Sequence, residues 1–284
     1  MKYLFFIGWI ILFSLCLLSC DGENEIAYAE YSSKVVVEGW IENGTPATVI
    51  LSQSASFSHE LDTTFLLQHV IKSAKVSVSD GEQTEVLTLG SDNKHLPPYV
   101  YYGSSIKGKI GKSYYLKIEY KNEILSSETY IPEPVPLEEY WIVKKSPSDT
   151  IAHINIRFTN SSNLFYQIAT RVEEMESIYT PCLYGNFSSE QFGQKESVSM
   201  QISKGPVLYP ETQFETYFKT GTIISLKFKT QAKHGYDFWT NWQNEVLNGQ
   251  NPIFPANTNL KSNINGGIGL WCGYGTYTYR IEIK

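Results

Sequence analysis

The stretch Ser113-Tyr114-Tyr115-Leu116-Lys117-Ile118-Glu119-Tyr120 decides the fold class of this chain. Its even-numbered residues are all aliphatic or aromatic, whereas its odd-numbered residues include a serine, a lysine and a glutamate. Successive side chains of a β-strand point to opposite faces of a sheet, so this period of two predicts a strand with one buried face. The same alternation recurs along most of the chain and predicts a mainly β protein.

Further alternating segments surround this strand in the first half of the chain. They predict strands at 34–41, 47–52, 74–78, 85–89 and 124–131. Asn43-Gly44 and Asp80-Gly81 are typical turn sequences between such strands. About seven short strands within roughly 100 residues are typical of an immunoglobulin-like or fibronectin-like β-sandwich, which we predict over residues 34–131.

A proline-rich segment divides the chain into two halves. The prolines at 132, 134 and 136 alternate with other residues, and alternating prolines favour an extended, semi-rigid spacer. We therefore predict a linker at 132–136 that holds the two halves apart at a fixed angle. A second, C-terminal β-rich domain is predicted over 137–284, from further alternating segments that include 154–158, 164–172 and 224–228.

One amphipathic helix interrupts the strands of the second half. Trp239, Trp242 and Val246 recur at helical spacing, and Gly249 and Pro252 follow where the pattern stops. The pattern predicts a helix over about 233–247 that packs its tryptophan face onto a sheet. The alternative interpretation is a sugar-stacking platform formed by Trp239 and Trp242.

The segment 54–72 is too long for a hairpin loop and carries several apolar residues, Phe57 and Phe65 among them. Long ordered loops often carry function. Two interpretations stay open here: the apolar side chains cover the end of the sandwich, or Phe57 and Phe65 contact a ligand or partner.

The first twenty residues indicate where the chain works. Lys2 precedes an apolar run that is too short for a membrane span, and the run closes with Leu17-Leu18-Ser19-Cys20. This ending resembles the lipobox of bacterial lipoproteins. Residues 1–19 are therefore predicted to be a lipoprotein signal peptide and Cys20 the lipidated residue, which would anchor the chain stably in a membrane. An ordinary secretory signal is the alternative.

Residues 20–33 begin with an acidic stretch and are predicted to form a flexible tether. The acidic cluster after Cys20 resembles the surface-export signal of Bacteroidetes lipoproteins. The whole chain has a formal net charge of −6, and removal of Lys2 with the signal makes it one unit more negative. A mildly acidic chain without basic clusters argues against a nucleic-acid partner.

Cys182 and Cys272 are the two cysteines that follow the anchor. In an oxidising compartment they form a plausible pair, and we predict a disulfide between them. Two separate buried thiols are the alternative, and neither cysteine has a histidine at a recognisable catalytic spacing.

The sequence contains no motif that requires catalysis. Its five histidines lie far apart without a His-x-x-x-His spacing, and no Gly-x-Ser-x-Gly elbow occurs. Ser104-Ser105-Ile106-Lys107 matches Ser-x-x-Lys but lacks the accompanying motifs. We therefore predict a non-enzymatic protein with no catalytic residue, no metal site and no cofactor.

Two segments at opposite ends of the mature chain carry a shared pattern. The first is Val35-Val36-Val37-Glu38-Gly39-Trp40-Ile41, followed by Asn43-Gly44, Pro46, Val49 and Leu51-Ser52. The second is Tyr236-Asp237-Phe238-Trp239, Asn251-Pro252 and the run from Ser262 to Gly269, followed by Gly273-Tyr274. Together they resemble the opening and the C-terminal signature of the DUF4249 lipoproteins of Bacteroidetes. The resemblance implies a lipid-anchored, surface-facing outer-membrane protein beside a TonB-dependent transporter.

Two functions follow as hypotheses. The first is an accessory or substrate-capture subunit of a TonB-dependent transporter, held at the outer membrane by Cys20. The second is a free-standing glycan-binding or adhesion module on the cell surface.

Overall fold

The computed structural model describes residues 32–54, 63–95, 97–146, 148–205, 216–248 and 261–284. In these ranges the chain is mainly β, as the alternation predicts, and two α-helices accompany the strands. Neither helix within these ranges is long and apolar enough to cross a membrane. The predicted signal peptide, Cys20, Phe57 and most of the predicted tether lie outside the described residues.

Eight strands form the described part of the first half, and the predicted strand at 113–120 has the bounds that its alternation indicates. The strands are Val35–Glu42 (β1), Pro46–Gln53 (β2), Lys75–Ser79 (β3), Thr84–Val86 (β4), Thr88–Ser91 (β5), Tyr99–Lys107 (β6), Ser113–Tyr120 (β7) and Glu123–Tyr130 (β8). A short helix, Thr63–His69 (α1), lies between β2 and β3.

Among its described residues, the second half adds eight strands and the predicted long helix. The strands are Leu137–Val143 (β9), Ile151–Thr159 (β10), Phe165–Val172 (β11), Thr180–Ser188 (β12), Ser197–Ile202 (β13), Phe218–Lys219 (β14), Ile223–Gln231 (β15) and Ile268–Glu282 (β16). The helix is Lys233–Asn248 (α2), and a single 3₁₀ turn covers Ser189–Phe192.

The strands form one large sheet and two smaller ones. The large sheet has eight strands in the order β12-β11-β15-β16-β1-β2-β6-β5. A four-stranded sheet with the order β4-β3-β7-β8 encloses the first hydrophobic core against the β1 side of the large sheet. A second small sheet, in which β10 pairs with β9, β13 and β14, encloses the second core against the β15 side. The large sheet is therefore shared by two sandwich-like arrangements, one with each small sheet.

The last strand joins the two halves. Residues 268–274 of β16 pair in parallel with β1, and residues 274–282 pair antiparallel with β15. Trp271 of this strand is fully buried in the first core, where its indole N–H donates a hydrogen bond to the carbonyl oxygen of Tyr114 at 3.0 Å. From the sequence we expected a spacer to hold the two halves apart. In the structure the two halves share the strand β16. The domain boundaries themselves stay a prediction.

The proline-rich segment crosses β16 at the point where the pairing changes partner. Pro132 and Pro134 are buried. A Cβ atom at Gly273 would meet the carbonyl oxygen of Tyr130, and one at Gly275 would meet the carbonyl oxygen of Pro132. Glycine is required at these two positions because two backbones approach each other closely.

We predict that Gly275→Ala destabilises the full chain by about 2–3 kcal/mol, because the added methyl group would push the proline-rich segment away from β16. Gly90→Ala is the matched control, since its Cβ would meet only atoms at 3.7 Å or beyond. The control should change the free energy of unfolding by less than about 1 kcal/mol. Urea unfolding in detergent measures both values. Equal stability of the two variants would show that the close approach does not matter.

Candidate functional site

The two faces of the large sheet differ in chemical character. In β15, Ile224, Leu226 and Phe228 point into the second core. The intervening residues of β15 therefore point to the opposite face, together with their cross-strand neighbours. This outer face carries an unusual number of polar residues with little exposure, namely Glu42, Gln167, Ser225, Lys229 and Gln231.

A line of charged and aromatic side chains crosses this outer face. We call it the charged row and define it as Arg171, Tyr179, Lys227, Glu42, Lys229 and Tyr274. Its centre is the Glu42 carboxylate, which lies at the end of β1. Lys227 Nζ lies 2.6 Å from Glu42 Oε2, and Lys229 Nζ lies 3.4 Å from Glu42 Oε1. One carboxylate from the first half therefore bridges two lysines of the second half.

Aromatic rings extend the charged row on both sides of this ion pair. Lys227 Nζ lies 4.5 Å and Arg171 Cζ 5.0 Å from the centre of the Tyr179 ring. Lys229 Nζ lies 4.4 Å from the centre of the Tyr274 ring. These distances are within the range of cation–π attraction, which gains strength where water is excluded.

Burial and charge shift the pKa values of the central ion pair. Burial lowers the pKa of Lys229, because a cation loses solvation inside the protein, and Glu42 opposes this effect. Burial alone would raise the pKa of Glu42, yet Lys229 and Lys227 hold it below its ordinary value of 4.5. Glu42 is therefore ionised at neutral pH.

The helix α2 packs its aromatic face onto the same outer face, as its spacing predicts. Phe238 and Trp239 contact a small apolar cluster of Leu270, Cys272 and Tyr274. The Trp239 indole N–H donates a hydrogen bond to the Tyr274 hydroxyl at 2.9 Å, which connects the helix to the end of the charged row.

The two tryptophans of α2 lie in contact with each other. The rings of Trp239 and Trp242 meet edge to face with their centroids 5.5 Å apart. Trp239 thus serves helix packing, and both side chains are half-buried. A sugar-stacking role for this pair stays a prediction.

The predicted disulfide between Cys182 and Cys272 is wrong, because both are free and buried. Cys182 packs in the second core, and Cys272 packs in the apolar cluster under α2. The two thiols therefore lie on opposite faces of the large sheet. Burial raises the pKa of each to about 12, so neither is a nucleophile at neutral pH.

Of the remaining predicted contact residues, Phe57 lies outside the described ranges. Phe65 lies in α1, the helix that follows β2 in the chain. Within the described ranges no group of three or more metal-ligating side chains occurs. His234 is half-buried at the start of α2, where it shares a hydrogen bond of 3.1 Å with Thr129.

The charged row was missed at the level of sequence. The alternation of β15 correctly indicates that Lys227 and Lys229 oppose an apolar face. It carries no sign that the lysine face is itself covered, because long-range pairing with Glu42 brings in the partner from 185 residues away. The signal available in the sequence was the pair of lysines, Lys227 and Lys229, within a predicted strand that is otherwise free of charge.

Residues 23–280 match the family model described as "Domain of unknown function (DUF4249)". The chain belongs to the DUF4249 family. The resemblance seen at its two ends therefore holds for almost the whole of this DUF4249 protein. No match is found among curated proteins.

A solved chain from a cytokine receptor complex (crystal form 1A) is similar to this DUF4249 protein at 6% sequence identity. The match covers 89% of this chain and 96% of the other, with a TM-score of 0.24. A similarity of that size carries no conclusion about fold or function.

We predict that Glu42→Gln destabilises this DUF4249 protein by about 3 kcal/mol at pH 7, because two covered lysines lose their counter-charge. Since the folded pKa of Glu42 lies below 4.5, its contribution is complete above that pH and is lost as the pH falls through the folded value. The difference between wild type and variant should therefore shrink in acid.

Glu139→Gln is the control for this experiment. Glu139 pairs with Arg157 at 2.9 Å on an exposed surface, so its loss should change stability by about 1 kcal/mol or less. Urea unfolding between pH 3 and 7 measures both variants. Equal effects of the two substitutions at pH 7 would contradict the importance of the Glu42 ion pair.

We also predict that Cys182 and Cys272 resist alkylation by iodoacetamide in the folded protein, because burial keeps both thiols protonated and covered. Both should be labelled in urea without any reductant. Mass spectrometry of tryptic peptides measures the labelling. A requirement for reductant would indicate a disulfide after all.

Proposed function

We propose that this DUF4249 protein is a non-enzymatic lipoprotein of the outer membrane that serves as an accessory or substrate-capture subunit of a TonB-dependent transporter. The transporter setting rests on the resemblance to the DUF4249 lipoproteins, and the family match over residues 23–280, to a domain of unknown function, supports that resemblance. It combines with the Leu17-Leu18-Ser19-Cys20 ending, which supplies a lipidation site at the N-terminus of the mature chain.

Lipidation at Cys20 supplies the membrane attachment in this proposal. Two or more acyl chains give stable anchoring, where a single chain would bind only marginally. The acidic stretch after Cys20 then acts as a tether that keeps the folded unit, residues 33–284, near the cell-surface side of the membrane.

The folded unit is suited to binding rather than to reaction. The described cysteines are held protonated by burial, and the most prominent polar feature is the charged row. Its partly open end, at Arg171 and Lys227, is the surface that we propose for substrate capture. An acidic overall charge of −6 disfavours nucleic acid as a partner.

The second hypothesis, a free-standing glycan-binding module, has less support from the geometry. A stacking platform needs ring faces that are open to a sugar. Trp239 is packed against Tyr274 and Trp242, and its indole N–H is already bonded.

The test is affinity purification of a C-terminally tagged full chain from membranes in mild detergent. We expect one dominant TonB-dependent barrel to co-purify, because a dedicated accessory subunit has one main partner. Cys20→Ala is the control and should lose both acylation and membrane retention. Recovery of no transporter with the wild-type chain would refute the proposed partnership, whatever the state of the anchor.

A further inference from the structure

Buried polar atoms without a hydrogen-bond partner lie in the charged row and beside it on the outer face, and Gln231 Oε1 is an acceptor among them. Arg171 Nε and Gln167 Nε2 are both buried and have no hydrogen-bond partner among the described residues. Gln167 is only 1% exposed. It lies directly across from Lys229 in the strand register, whereas Arg171 lies across from Ser225. Two unpartnered donors thus lie on the same face as the two lysines.

The charges on this face are also unbalanced. Arg171, Lys227 and Lys229 supply three cations, and Glu42 is the carboxylate that contacts the lysines. Two of the three carboxylates of the β11–β12 connection are already engaged, whereas Glu174 is exposed and has no ion pair in the described ranges. Glu176 pairs with Lys204 at 2.7 Å, and Glu173 pairs with Arg280 at 3.0 Å. In the described ranges, therefore, Arg171 has an aromatic contact but no ion pair.

The charged row is covered at one end and partly open at the other. Glu42 and Lys229 are nearly covered, whereas Arg171 and Tyr179 are half-buried and the Lys227 side chain is 19% exposed. Tyr179 is held in place by a hydrogen bond of 2.6 Å between its hydroxyl and that of Ser225. The partly open end is therefore held in place by Tyr179, and it lies beside the central ion pair and not within it.

We propose that the Arg171 end of the charged row binds the carboxylate group of a small acidic molecule. The two terminal nitrogens of Arg171, which are not among its buried unpartnered atoms, carry parallel N–H groups that match the two oxygens of a carboxylate. Lys227 donates one hydrogen to Glu42 and has two more to offer. The Tyr179 ring holds both Arg171 and Lys227 in position through cation–π contacts.

This inference deepens the proposed function by naming the class of captured substrate, and it rests on that proposal only for its biological role. Binding itself requires neither the transporter nor the lipid anchor. A neutral ligand could accept hydrogen bonds at this site but would leave its charge imbalance unchanged.

The test is isothermal titration of the full chain in detergent with acetate, citrate and D-glucuronate, each at constant ionic strength. We expect saturable binding of at least one of these carboxylates and none of D-glucose. Inorganic phosphate is the competing anion, and tighter binding of phosphate than of every carboxylate would overturn the assignment.

Arg171→Gln should weaken carboxylate binding at least tenfold, because it removes the planar pair of donors and one charge. Arg171→Lys keeps the charge and the stem, so it controls for folding and should bind at an intermediate level. Lys109→Gln removes an exposed cation elsewhere and should bind like wild type. Unchanged binding by folded Arg171→Gln, or no binding of any carboxylate by wild type, would overturn the proposal.

Recovery of the transporter separates this inference from the proposed function. Arg171→Gln should still co-purify with the barrel, since the anchor and the rest of the surface are intact. Carboxylate binding without a transporter would refute the proposed function alone, whereas a transporter without carboxylate binding would refute the site alone.

Discussion

The double pairing of β16 is the constraint on which the rest of the structure depends. Its first part, 268–274, completes the sheet of the first half beside β1, and its second part, 274–282, completes the sheet of the second half beside β15. Each small sheet then covers its own hydrophobic core on the same face of this shared scaffold. Loss of β16 would therefore open both cores, because Trp271 fills the first and Ile281 the second.

The same pairing assembles the charged row. β1 ends at Glu42, where β16 passes from β1 to β15, so the carboxylate arrives beside lysines of the other half. A buried ion pair is by itself weak evidence for high stability, because the cost of desolvating the charges opposes their Coulomb attraction. Its clearer consequence is specificity: an alternative register of β1 would leave Lys227 and Lys229 covered without a counter-charge.

Local sequence patterns predicted the strands and the long helix well, but they did not predict the contacts between residues far apart in the chain. The alternation at 113–120 gave the strand bounds directly, and the spacing of Trp239 and Trp242 predicted a helix packed on a sheet. The parallel pairing of β1 with β16 joins segments more than 200 residues apart and has no local signature. The disulfide prediction failed for a related reason, since the redox compartment says nothing about which face of a sheet Cys182 and Cys272 occupy.

Hydrogen exchange read by mass spectrometry at increasing urea tests the shared scaffold most directly. If β16 makes the two halves one cooperative unit, slowly exchanging peptides from β7 and from β10 will open with the same free energy and the same urea dependence. Peptides from β16 will open with the same free energy and the same urea dependence. Two distinct opening free energies, one for each half, with β16 following only one, would contradict a single unit built on the double pairing of the last strand.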